Sequence, residues 1–106
     1  MLYFGNAFSL QMVDGDCNIS IRNIGIEDVF DFLKNNPGFK SCVGHADTAS
    51  VLSNMLGTEI PSNRINITLH EGDNLIVAQV MGGRLPEGAT TLPENCTIKF
   101  MMVTII

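Results

Sequence analysis

What this chain lacks narrows its class before any motif is read. It has no run of eighteen or more apolar residues, so no membrane-spanning helix is expected. The opening MLYFGNAFSLQM has no basic stretch ahead of its apolar residues and is interrupted by Asn6, Ser9 and Gln11, which argues against a secretory signal. Cys17, Cys42 and Cys96 form no Cys-x-x-Cys pair, and an odd number cannot close into a disulfide set. Reduced, buried thiols in a cytoplasmic protein are the expectation. Basic residues are scarce: Arg22, Lys34, Lys40, Arg64, Arg84 and Lys99 are all there are, in a chain of net charge −5, and they form no stripe. Duplex-binding proteins draw their affinity from Lys and Arg that displace counterions, so that class is disfavoured. Walker and dinucleotide fingerprints are absent, and no histidine pair or dense carboxylate cluster marks a metal site.

What is present describes a globular protein. With 45 % hydrophobic and 16 % charged residues over a length of 106, residues 1–106 suit one domain with one core. The expected class is α/β, a mixed sheet of about five strands flanked by two or more helices. Leu2 to Phe8 reads as a buried first strand, and Asn18 to Asn23 as a half-exposed second one, reached as a hairpin through the Asp14-Gly15-Asp16 turn. Ile26, Val29, Phe30 and Leu33 then recur at helical spacing until Pro37-Gly38, with Glu27, Asp28 and Asp31 early and Lys34 late, as the helix dipole favours. A second helix is read from about Ala46 to Leu56, stopped by Gly57. Arg64 to Leu69 and Leu75 to Met81 read as a hairpin across His70-Glu71-Gly72-Asp73. Residues 82 to 95, with three glycines and two prolines, form a long loop, and Cys96 to Ile106, apolar on both faces, suits the middle of a sheet.

Two places draw attention for chemistry. Gly44-His45 precedes the second helix, whose free N–H groups and positive dipole end would favour a phosphate there, although His45 also fits as a simple helix cap or a surface residue. Arg84 and Glu87 stand three residues apart on the constrained loop, either as a clamp on a phosphodiester or as an exposed ion pair. Asn6 and Ser9, at the end of an apolar strand, suit either a ligand edge or local turn bonding. His70, in a turn beside Glu71, reads as structural.

Four segments together resemble the viral type III anti-CRISPR ring nucleases and their cellular relatives, formerly a domain of unknown function. They are NAFS at 6–9, GHADTASVLSNMLG at 44–57, NRINITLHEGD at 63–73 and GGRLPEGATTLPE at 82–94, in the family's order and spanning nearly the whole chain. The resemblance implies a homodimer that degrades cyclic tetra-adenylate, the second messenger of type III CRISPR defence, without a metal or cofactor. It assigns His45, Arg84 and Glu87 to catalysis and Asn6, Ser9 and Gly44 to ligand contact, and Gln11 and Arg64 are added as further ligand-contact candidates. At one point the chain departs from the pattern: relatives often read Asn-Met after the NAFS segment, where this chain has Gln11-Met12.

The substrate's structure suggests the route. Each ribose 2′-OH lies beside its own 3′-phosphate and, held in line, supplies the nucleophile. The enzyme must then stabilise the phosphorane and protonate the departing 5′-oxygen. His45 is the expected acid and Arg84 the expected charge stabiliser, with Glu87 holding or orienting. A helix N-terminus disfavours an imidazolium and a bound phosphate favours it, so ligand binding prepares the acid, and activity is expected to fall at alkaline pH. A four-fold ring on a two-fold axis would be cut twice, giving linear di-adenylates with 2′,3′-cyclic phosphate ends. The rival readings are a protein that sequesters the ring uncut, a viral DNA-binding or regulatory protein, and a structural interaction protein.

Overall fold

The first and last strands of the chain flank the same strand of one sheet. A computed structural model describes residues 1–106. Its regular elements are strand β1 (Leu2–Gly5), a 3-10 turn (Leu10–Met12), β2 (Ile19–Ile24), helix α1 (Ile26–Asn35), β3 (Lys40–Ser41), helix α2 (Ala46–Leu56), β4 (Asn74–Met81) and β5 (Thr97–Ile105). The five strands form one mixed sheet in the order β2-β5-β4-β1-β3. β1 runs parallel to both β3 and β4, while β5 is antiparallel to β4 and β2. The C-terminal ends of β1, β2, β3 and β4 therefore open onto one edge.

Both helices lie on one face of the sheet. Phe4, Ile76, Ala78, Phe100 and Met102 point that way and pack with Val29 and Leu33 of α1 and Ala49, Leu52 and Leu56 of α2. The other face presents Leu75, Val77, Val103 and Ile105, covered by Ile67 and Leu69 with Phe8, Met12 and Val13 from irregular segments. Helix α1 starts where the Asp28 carboxylate accepts the Gly25 N–H at 2.8 Å. Helix α2 stops at Gly57, whose φ of 63° is a left-handed conformation that side chains with a Cβ resist.

The α/β class, the five-stranded mixed sheet, both helices and the long loop agree with expectation; several strand pairings do not. The first strand ends at Gly5, because the chain leaves the sheet at Asn6. It forms no hairpin with β2, since β3 and β4 occupy its two edges. The expected hairpin of residues 64–69 with β4 is absent for the same reason: β1 and β5 already flank β4. Residues 64–69 are instead a strap, joined to the rest by the single bridge Leu69–Val13 and by the Leu69 N–H donating to the Met12 carbonyl at 2.6 Å. The second strand begins and ends one residue later than expected, and β3 is too short for periodicity to reveal. The thiols differ as well: only Cys96 is buried, while Cys42 is half-buried and Cys17 exposed. No helix is long and apolar enough to cross a membrane.

Candidate functional site

The edge where four strands end is also where the candidate residues emerge. Ligands in open α/β sheets collect outside the carboxyl ends of strands, because the loops there converge without disturbing the core. Asn6 follows β1, Gly44 and His45 link β3 to α2, and the 82–95 loop follows β4. The Asn6 side chain ties the first two together, its Oδ1 accepting the Gly44 N–H at 3.3 Å. The stem of Arg64 lies against Gly44, where an added Cβ would stand 3.7 Å from the Arg64 Cγ.

His45 occupies the N-cap position of α2, with its carbonyl accepting the Ala49 N–H at 3.0 Å. Its imidazole makes no capping bond and is exposed, so the helix-cap reading of this side chain does not hold. The N–H groups of Ala46, Asp47 and Thr48 open the helix and have no acceptor within it. Beside them lies the roomiest cleft of the molecule, about 480 Å³, lined by His45, Asp47, Thr48, Val80, Gly83, Arg84 and Leu85. The structure thus brings His45 and Arg84 to one space.

The remaining candidates divide. Glu87 stays on the same loop but does not line the cleft, and it makes no ion pair with Arg84. Neither the exposed-pair reading nor orientation of the guanidinium by Glu87 therefore holds in this state. The physical reason is a turn, closed by the Ala89 N–H donating to the Pro86 carbonyl at 3.0 Å, that carries Glu87 away. Ser9 and Gln11 border a second, smaller cleft of about 220 Å³ with Met12 and residues 65–68, on the side of the strap. Arg64 stands between the two, next in sequence to Ile65 and against Gly44. Gly44 itself offers no free donor, because Asn6 takes its N–H.

Asp47 and Thr48 line the cleft, and sequence reasoning gave neither a role in anion binding. Their signal was position: two and three residues beyond the N-cap, side chains of the first turn surround the helix's open N–H groups. The Cys42 thiol, beside Gly5, donates weakly to the Phe4 carbonyl at 3.5 Å, and burial pushes its pKa up, so it is a poor nucleophile. No three His, Cys, Asp or Glu side chains gather in a metal-holding geometry.

Comparison with known proteins agrees with this architecture. The STIV B116-like family matches residues 2–101. Uncharacterized protein 26 of Sulfolobus islandicus filamentous virus (isolate Iceland/Hveragerdi) is 39% identical over 89 residues, 83% of this chain and 74% of the relative. Uncharacterized protein ORF117 of Acidianus two-tailed virus is 30% identical over 89 residues, 83% of this chain and 75% of the relative. Among solved structures, B116 of Sulfolobus turreted icosahedral virus superposes with a TM-score of 0.83 at 24% identity, covering 97% of both chains, which establishes the shared fold. All three are viral proteins, and a match across nearly the whole length decides the grouping: the chain belongs to the STIV B116-like family.

Proposed function

We propose that this protein is a metal-independent ring nuclease, cleaving cyclic tetra-adenylate into linear di-adenylates and so ending type III CRISPR second-messenger signalling. One observation carries the reading: an uncommitted imidazole at a helix N-terminus shares a cleft with an arginine on the loop after β4. In this reading the ribose 2′-oxygen bonds to the adjacent phosphorus as the bond from phosphorus to the 5′-oxygen breaks. His45 gives its proton to the departing 5′-oxygen, and the 2′-OH proton leaves to water. Arg84 and the first-turn N–H groups of α2 bear the phosphorane charge. Asn6 and Arg64 shape the approach to Gly44, while Ser9, Gln11 and Glu87 reach parts of the ring farther from the cut linkage.

Size supports a two-copy site. A cleft of about 480 Å³ suits one nucleotide unit and not a ring of four. Two protomers would place two such clefts on opposite linkages of one ring. The sheet face away from the helices is a candidate contact, because Ile21 and Met81 remain 53% and 43% exposed there and Met81 leads directly into the cleft loop. Sharing the ring between protomers also lets an acidic protein bind an anion with few cations.

The test is incubation of purified protein with labelled cyclic tetra-adenylate in EDTA, beside the His45→Ala variant. Conversion to di-adenylate cyclic phosphate by the wild type, lost in the variant, is the expected result. Intact ring with the wild type would overturn cleavage, and tight binding of that intact ring would identify a sequestering protein. Equal cleavage by the variant would remove His45 as the acid.

A further inference from the structure

The loop bearing Arg84 contains three glycines and two prolines, yet it is held at three points. At its base, Gly82 takes a φ of 95° and packs so close to the Asn95 carbonyl that a Cβ there would collide with it. At its crest the Gly88 N–H donates to the Asp47 Oδ1 at 3.0 Å, and beyond the crest the Asn54 Nδ2 donates to the Thr90 carbonyl at 2.6 Å. Asp47 and Asn54 lie seven residues apart on α2, two turns along one stripe, so the loop runs along the helix and does not hang from its own ends.

Asp47 is an odd occupant of an anion-binding cleft. Its carboxylate repels a phosphate, and its favourable place in the first helical turn would be equally served by an acid facing away from the cleft. What it adds is the bond to Gly88.

We infer that Asp47 is a positioning residue: by accepting the Gly88 N–H it fixes the loop crest against α2, so that Arg84 faces His45 before a ligand arrives. Asn54 secures the following bend. The inference rests on the cleavage reading for its effect on turnover, while the latch itself is a property of the free protein. Without the bond, the loop must be ordered during binding, and that cost appears in KM more than in kcat.

Asp47→Ala and Asp47→Asn decide it, with amide exchange at Gly88 measured in the free protein and steady-state kinetics on cyclic tetra-adenylate. In Asp47→Ala, exchange at Gly88 is expected to quicken about tenfold and KM to rise about fivefold, with kcat within about twofold of the wild type. Asp47→Asn keeps an acceptor oxygen and removes the charge, so it is expected to restore slow exchange and a KM at or below the wild-type value. Unchanged exchange in Asp47→Ala, or an asparagine variant as impaired as the alanine one, would overturn the latch. Should the wild type leave the ring uncut, the cleavage reading fails by itself; exchange at Gly88 and the Kd for the ring then decide the latch, with the same directions expected.

Discussion

The two histidines stand at opposite ends of the sheet and in opposite circumstances. His70 sits in the turn before β4, where its N–H donates to the Asp73 Oδ2 at 2.9 Å and its Nδ1 lies 3.7 Å from the same carboxylate. Asp73 also holds the chain's amino terminus at 3.4 Å. The cleft beside His70 is lined by Asp14, Asp16, Cys17 and Glu71 with apolar residues and no arginine or lysine, a setting that repels anions. His45 has no such partner and shares its cleft with Arg84. The same residue type is thus held in a turn at one end and left without a hydrogen-bond partner for its side chain at the other. Its neighbours make the difference.

The comparison breaks most visibly at the histidines. His45→Ala is expected to lower the rate of ring cleavage by about a thousandfold, the loss of a general acid, whereas His70→Ala stays within about twofold. Single-turnover assays on both variants check this. A smaller effect belongs to the cation. Arg84→Ala is expected to cost about a hundredfold in kcat/KM, with partial recovery in Arg84→Lys, which keeps the charge and loses the fork. At the far end, Asp73→Ala is expected to lower stability by about 1 kcal/mol in urea titration and to leave kcat/KM unchanged, because it frees a turn and touches no ligand. The mildest contrast concerns the thiols. Alkylation of Cys42 at pH 8 is expected to run at least about tenfold slower than that of exposed Cys17, since burial raises the Cys42 pKa and depletes its thiolate.

Local features of the fold were the legible ones. Helix α2 matches its expected bounds because apolar spacing and Gly57 both act within a few residues. Alternation misled at Ile65 to Leu69, where β-branched and polar residues take turns as in a strand, yet only Ile67 and Leu69 bury, against Leu75 and Val77, and both edges of β4 are already taken by β5 and β1. Periodicity reports which side chains seek a core, and it is silent on which backbone edges are vacant. The site shows the same limit. Gly44-His45 and Arg84 could be singled out as residue types, but their meeting depends on β1 pairing with β4, from Leu2 against Asn74 to Gly5 against Val77. Nothing in the sequence singles out a partner for Asp47, because Gly88, whose N–H its carboxylate accepts, lies 41 residues away.

That same β1–β4 pairing has a consequence for the order in which the molecule matures. A nascent chain that has emerged as far as residue 70 already carries Asn6, Gly44 and His45, but the strand that must lie beside β1 has not been made. Closing so long a loop is slow and brings no reward until the partner strand arrives. At that stage the N-terminal strand has only the two-residue β3 to pair with, and its other edge stays open during synthesis. The cleft shared by His45 and Arg84 should therefore form abruptly and late, once β4 and the loop after it have left the ribosome.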